Sequence, residues 1–140
     1  MYSIVKRNEG KKIDLWGDSH IIKLTSEDTG GQLSVIEQIY QTGCGSSFHK
    51  HNSDSHLIYI LEGVFEFELE SVLSFAEKGD VVFISAMTMH RFEVKSDNAG
   101  HLLVVTLPAG LEQLFVELSN HSNDSEEIQR IIAQFGIRLG

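Results

Sequence analysis

Residues 43–63 read GCGSSFHKHNSDSHLIYILEG and bring three histidines, His49, His51 and His56, close together in the chain. A neutral imidazole binds a divalent ion without first losing a proton near neutral pH, which makes histidine the commonest side-chain metal ligand. On an extended segment, residues two apart point the same way, so His49 and His51 would share one face about 7 Å apart. A turn at 52–55 and a return strand would bring His56 to the same place. The stretch therefore predicts a metal site, which His90, after a later apolar run, could complete.

Outward from this stretch, short apolar runs alternate with turn residues along most of the chain. Glycine-rich residues 43–47 are interpreted as a flexible loop that delivers the first histidines. So many short strands with closely spaced turn signals predict an all-β sandwich or barrel. The predicted strands are 2–6, 12–16, 20–25, 33–40, 57–61, 64–69, 71–75, 81–84, 90–94 and 101–107.

After Pro108 the hydrophobic period changes from that of strands to that of helices. A first helix is predicted from an apolar stripe with helical spacing, and a second from a capping box at Asn123 and Glu126 through Phe135. We expect both helices to cover the barrel or a partner subunit. The stripe of the first helix consists of Leu111, Leu114, Phe115 and Leu118.

Composition and charge restrict the class of protein. A chain of 140 residues fits one domain. Its formal charge of −9 argues against nucleic acid or an anionic membrane as partner. The apolar runs are shorter than a membrane span, and the N-terminus lacks the pattern of a signal peptide. Cys44 is the single cysteine, so no intrachain disulfide is possible, and we expect a cytoplasmic protein.

Two segments resemble the two sequence motifs of the cupin superfamily. Residues 43–63 resemble G-x5-H-x-H-x3,4-E-x6-G, and residues 79–94 resemble G-x5-P-x-G-x2-H-x3-N. The spacing between them is that of small bacterial cupins, and the C-terminal part resembles quercetin-dioxygenase-like cupins. The resemblance implies an all-β double-stranded β-helix, a jelly-roll barrel, with its core at about 20–107. It also implies one domain over 1–140 with a helical extension at about 110–136. The residues in register are Gly43, His49, His51, Gly63, Gly79 and His90.

The chain departs from the second half of each motif. Ser85, Met87 and Val94 replace the proline, glycine and asparagine of the second motif, and His56 replaces the glutamate of the first. Four-histidine cupins are known, so the resemblance assigns one divalent transition metal ion to four imidazoles. Four neutral ligands leave a divalent ion with a net charge of about +2, which favours anionic substrates and ions such as Zn, Ni, Fe, Mn or Cu. The implied ligands are His49, His51, His56 and His90.

A mostly apolar substrate pocket is expected beside these ligands. If His56 faces inward, strand alternation also directs Ile58 and Ile60 inward, and the same argument from His90 selects Phe92. Such a pocket suits an aromatic or otherwise flat organic compound. No general base is evident, so no catalytic residue is assigned. Further candidates, placed near the mouth by the family topology, are Phe48, Gln38, Tyr40 and Met87.

The leading hypothesis is a small metalloenzyme that activates an enolisable or phenolic compound, in the manner of a dioxygenase. The alternatives are a Zn-type cyclase or isomerase, a non-catalytic sensor that holds a metal or small ligand, and a purely structural metal. We also expect a homodimer in which a second copy covers Tyr59 and its outward apolar neighbours. A monomer in ultracentrifugation at micromolar concentration would count against that dimer.

Overall fold

Eleven strands and three helices form the chain in the computed structural model, which describes residues 1–140. The strands are β1 (Lys11–Leu15), β2 (Asp18–Leu24), β3 (Ser34–Tyr40), β4 (Gly45–His51), β5 (Ser55–Glu62), β6 (Val64–Leu69), β7 (Val72–Glu77), β8 (Val81–Ile84), β9 (His90–Val94), β10 (Gly100–Leu107) and β11 (Ile137–Leu139). The helices are α1 (Ser26–Thr29), α2 (Leu111–Asn120) and α3 (Ser125–Gln134). None of these helices is both long enough and apolar enough to cross a bilayer.

Two antiparallel sheets face each other across the core. One has the order β1-β2-β3-β10-β5-β8, and the other has the order β11-β4-β9-β6-β7. From β3 onward the chain crosses repeatedly between the sheets, which is the winding of a jelly roll. The prediction of an all-β barrel with C-terminal helices is confirmed.

Strand alternation produces the core between the sheets. In β10 every second side chain is buried, and Val104 lies opposite Ile36 on one side and Ile58 on the other. Phe65 and Phe67 of β6 are almost completely buried and meet these residues from the opposite sheet. Apolar burial of this kind is the main free energy that holds the two sheets together.

Two of the sequence predictions for single elements are wrong. Residues 2–6 form no strand. The chain at residues 6–9 is instead held by the Lys23 ammonium, which donates to the carbonyls of Lys6, Arg7 and Glu9. Residues 45–47, interpreted as part of a flexible loop, are the first residues of strand β4. Gly45 belongs to this strand because a side chain there would collide with the backbone of Phe92 on β9. The absence of a side chain at Gly45 thus allows two strands to approach closely and does not indicate a flexible loop.

The C-terminal part forms a second, smaller core on the barrel. The α2 stripe packs with Ile131 of α3 and Ile137 of β11, and β11 pairs with the edge of β4. The predicted N-cap of α3 was displaced by one residue, since Asp124 accepts the bond from the N–H of Glu127. A short capped helix, α1, and strand β11 were not predicted.

The outer face of the larger sheet carries exposed apolar side chains. Leu57 and Tyr59 of β5 are 37% and 44% exposed, and their register neighbours Phe83 and Val81 of β8 are 59% and 60% exposed. These residues include the face for which a dimer was expected, and the homodimer stays a prediction.

A buried carboxylate fastens α2 to the barrel. Glu112 is 1% exposed and accepts hydrogen bonds from the Ser34 hydroxyl and from the backbone N–H groups of Ser26 and Gly110. These donors come from α1, β3 and the start of α2, so one side chain joins three elements. Buried charge-assisted bonds of this kind stabilise a fold mainly because losing one partner leaves the others unpaired.

We expect Glu112→Ala to lower the free energy of unfolding by about 3 kcal/mol, because its donors would be left without an acceptor. Urea unfolding of both proteins at one pH measures the difference. The control is Gln113→Ala at the next, exposed position of α2. Equal losses in the two variants would show that the carboxylate does not fasten the helix.

Candidate metal centre

Four histidines from both sheets meet at one end of the barrel interior. His49 and His51 are alternate residues of β4 and point inward, while His90 begins β9 and pairs with His49 in register. His56 comes from β5 in the opposite sheet and is 6% exposed. The predicted ligands are therefore brought together from three strands.

The distances divide these rings into two overlapping groups. Ring centroids are 4.3 Å apart for His49 and His90, 5.0 Å for His49 and His51, and 4.1 Å for His51 and His56. One nitrogen from each of His49, His51 and His90 lies within 4.8 Å of the other two. His51 also belongs to a second group of the same size with His56 and Asp54.

Backbone carbonyls orient two of the imidazoles. Nδ1 of His49 donates to the carbonyl oxygen of Ser47 at 2.7 Å, and Nδ1 of His90 donates to that of Thr88 at 2.8 Å. A neutral ring that donates through Nδ1 has its lone pair on Nε2. Hydrogen bonds from the second ring nitrogen to a carbonyl are typical of metal-binding histidines. Both rings are thus prepared to bind a cation through Nε2.

His51 is buried without the hydrogen bonds that its ring requires. The residue is 5% exposed, and neither Nδ1 nor Nε2 has a hydrogen-bond partner. An unpaired buried polar group costs about 1–3 kcal/mol, so it calls for a partner. A cation bound between the three imidazoles would provide one, and the donor set fits a transition metal ion.

Burial keeps these rings in the protonation state that a metal ligand needs. It lowers the pKa of His51 to about 3 and of His90 to about 4, with the charge of neighbouring histidines acting in the same direction. The pKa of His49 is also lowered, again mainly by burial. All three imidazoles are consequently neutral at pH 7.

His56 makes a different contact. Its Nε2 donates to Oδ2 of Asp54 at 2.8 Å, and the same oxygen lies 3.5 Å from Nδ1 of His51. Burial by itself would raise the pKa of Asp54, but the hydrogen bond from His56 and the charges of His51 and His56 outweigh it and lower this pKa. Sequence reasoning treated Asp54 only as a turn residue, although it precedes His56 at the spacing that places two strand residues on one side.

A cavity of about 160 Å³ adjoins the histidines, and its wall is mainly apolar. Of the candidate pocket residues, Gln38, Tyr40, Ile58 and Phe92 line it. The structure adds lining side chains from the C-terminal part, which the strand patterns could not include. These are Leu111, Leu114 and Phe115 of α2 and Ile137 of β11.

The other three pocket candidates lie elsewhere. Ile60 is fully buried in the barrel core away from the cavity wall. Phe48 lies beneath the Arg91 guanidinium, whose carbon is 5.5 Å from the ring centroid. Met87 is 51% exposed in the turn before β9.

His20 lies behind the cavity wall and supports it through Gln38 and Phe115. Gln38 donates from its side-chain nitrogen to Nδ1 of His20 at 3.1 Å, and the His20 ring stacks on Phe115 at 4.1 Å. Burial lowers the pKa of His20 to about 4, so the ring is a neutral acceptor. His121 and Cys44 are exposed and outside the site.

Comparison with known sequences gives a family and one relative. The family described as the cupin domain matches residues 36–106, half of the chain. An uncharacterized protein of Methanocaldococcus jannaschii is 33% identical over 64 residues, which are 46% of this chain and 51% of that protein. The chain therefore spans about half the length of the curated relative that it matches.

Several solved structures share the fold. The KdgF protein of Halomonas sp. has a TM-score of 0.72 at 19% identity, covering 81% of this chain and 99% of its own. A predicted oxalate decarboxylase of Thermotoga maritima has a TM-score of 0.68 at 20% identity, with 76% and 99% covered. The polyketide cyclase RemF of Streptomyces resistomycificus has a TM-score of 0.66 at 21% identity, with 76% and 80% covered. At these identities the similarity establishes the fold alone.

The buried imidazoles make the stability of the metal-free protein depend on pH. His51 stays neutral in the folded protein down to about pH 3, whereas an unfolded histidine takes up a proton near pH 6.5. The unfolded chain then binds the extra proton, so the unfolding free energy falls on acidification below pH 6.5 by about 1.4 kcal/mol per pH unit for this residue. We expect His51→Gln to remove that part of the slope in urea unfolding between pH 6.5 and 4.5.

The control is His121→Gln, at an exposed histidine outside the cluster. Asp18, whose pKa burial raises to about 6, contributes a slope of opposite sign in both variants and cancels in the comparison. An unchanged slope in His51→Gln would show that the ring is not held neutral by the fold.

Proposed function

The chain belongs to the cupin domain family, and from this premise we propose that it is a small metalloenzyme acting on an enolisable or phenolic organic compound. The observation that carries the proposal is the unsatisfied His51 ring beside His49 and His90, at the wall of an apolar cavity. A bound ion that keeps a coordination position open toward a cavity is typical of catalytic rather than structural metal sites, and this cluster adjoins such a cavity.

The residues proposed to hold the ion are His49, His51, His56 and His90. His49 and His90 would bind through Nε2, because their Nδ1 atoms already donate to carbonyls. A divalent transition ion bound there would act as a Lewis acid that polarises an oxygen atom of the substrate and lowers the pKa of its enol or phenol.

The cavity itself limits the size and polarity of the substrate. A space of about 160 Å³ accommodates roughly one aromatic ring. Tyr40, Phe92 and Phe115 surround it with ring faces and edges, which exclude water and suit a flat molecule. Gln38, held by His20, and Ser46 are polar contacts on this wall. The substrate class that fits is thus a small single-ring or open-chain compound.

Two reaction types agree with this arrangement. A dioxygenase-like reaction on the activated substrate is the leading one. Cyclisation or isomerisation, with Zn²⁺ as the Lewis acid, is the alternative, and the shared fold with a polyketide cyclase is consistent with it. A sensor that binds the metal and a small ligand without turnover is the non-enzymatic alternative.

Purified, untreated protein should contain close to one divalent transition ion per chain. We expect His51→Ala to lose most of this ion, because the ring in both ligand groups is removed. His56→Ala should bind more weakly than the wild type, as a four-imidazole site requires. Elemental analysis measures the content, and His101→Ala, outside the cluster, is the control. Wild-type protein without metal, both as purified and after incubation with each ion, would refute the metalloenzyme.

Turnover separates the enzyme from the sensor. Protein of known metal content should convert small β-diketones, catechols or acireductones, and His51→Ala should not. Oxygen consumption indicates the dioxygenase-like reaction. Product formation that is detected by chromatography without oxygen consumption indicates cyclisation or isomerisation. Metal-loaded protein that binds such compounds but converts none of them would support the sensor.

A further inference from the structure

Asp54 is the carboxylate nearest to the histidine cluster. Its Oδ2 accepts from Nε2 of His56 at 2.8 Å and lies 3.5 Å from Nδ1 of His51. The side chain is 18% exposed, and the ionisable side chains within 4 Å of its carboxylate are these two histidines; no lysine or arginine pairs with it. The negative charge of Asp54 therefore acts on the cluster and not on the surface.

The direction of the hydrogen bond determines what His56 can offer. A carboxylate only accepts, so Nε2 of His56 must carry the proton, and the lone pair of the neutral ring is on Nδ1. Asp54 thus selects one of the two tautomers of His56. In this respect His56 differs from His49 and His90, which have their lone pairs on Nε2.

The segment around Asp54 is held on both sides. The N–H of Asn52 donates to the carbonyl of Gly136 at 2.8 Å, and the hydroxyl of Ser55 accepts from the N–H of Ala86 at 3.2 Å. Because these bonds fix the turn before any ion binds, the carboxylate loses little conformational freedom when it acts on His56.

We propose that Asp54 is the positioning residue of this metal centre: it orients His56 through Nε2–H and supplies the negative charge that a four-imidazole ligand set lacks. The proposal rests on the proposed metal binding. Four neutral imidazoles leave a divalent ion with a charge of about +2, and an ionised carboxylate directly behind two of them reduces the charge of the whole site to about +1. The family motif has an acidic residue at the position of His56. In this chain the acidic residue is Asp54, which contacts His56 from the side away from the proposed ion.

A double-mutant cycle on metal affinity tests this role. Competition with a chelator gives the dissociation constant for Zn²⁺ in the wild type, Asp54→Asn, His56→Ala and the double variant. We expect Asp54→Asn to weaken binding about 10- to 100-fold, and Asp54→Glu to restore part of it. In the His56→Ala background the same change should have a smaller effect, because the part of the Asp54 effect that passes through that ring is gone and only its charge beside His51 remains.

Controls separate this effect from misfolding and from general charge. Asp97→Asn removes an exposed carboxylate of a distant turn and should leave the affinity unchanged. Thermal unfolding of each metal-free variant shows whether it is folded. Wild-type affinity in Asp54→Asn, or an undiminished loss in the His56→Ala background, would overturn the proposal. Wild-type protein that binds no ion would instead refute the proposed function. Because the cycle includes the wild type, this result is distinguishable from a failure of the Asp54 proposal alone.

A second measurement does not depend on metal. Nitrogen chemical shifts of the imidazoles in the metal-free protein should show His56 protonated on Nε2 in the wild type and a mixture of tautomers in Asp54→Asn. A wild-type His56 protonated on Nδ1 would contradict the positioning role.

Discussion

The arrangement of the site depends on the burial of imidazole rings among apolar side chains. Desolvation keeps the rings neutral, and a neutral ring is the form that can bind a metal ion. The same burial leaves His51 without hydrogen bonds. The unpaired ring lowers the stability of the fold as long as no cation or substrate pairs with it. The rigid β4–β9 pairing, supported by the close approach at Gly45, holds the rings in position despite that cost.

The C-terminal part completes the cavity and is connected to the ligand strand. α2 supplies much of the apolar wall, and Glu112 fastens this helix to the barrel by buried hydrogen bonds. β11 pairs with β4 along His49 and His51. Strand β4, the cavity wall and the helical extension therefore form one packed unit, in which a displacement of the extension would also disturb the histidine cluster. Helix α2 acts as part of the site and not only as a cover of the barrel.

Prediction from the sequence succeeded where the hydrophobic periodicity and the side-chain types indicate the same secondary structure. The alternation in β3 and β6 predicted strands, and the stripe Leu111 to Leu118 predicted α2. It predicted no strand at 45–47, because histidines take the inward positions of β4 and leave no apolar alternation, although it placed His49 and His51 on an extended segment. It also failed for Asp54, because an aspartate between asparagine and serine residues is usual in a turn, and only its contact with His56 reveals another role. His20 was missed because its partners, Gln38 and Phe115, are distant in the chain.

By itself, the sequence determined the all-β class and the helices of the C-terminal part, since both follow from local hydrophobic periodicity. It also determined which four histidines form the cluster, since these follow from the spacing along one strand and from two motifs of known order. The tertiary structure alone decided which nitrogen of each ring is free, which side chains enclose the cavity and which carboxylate lies behind His56. Those features arise from contacts between residues far apart in the chain, where neither strand period nor spacing carries information about distance.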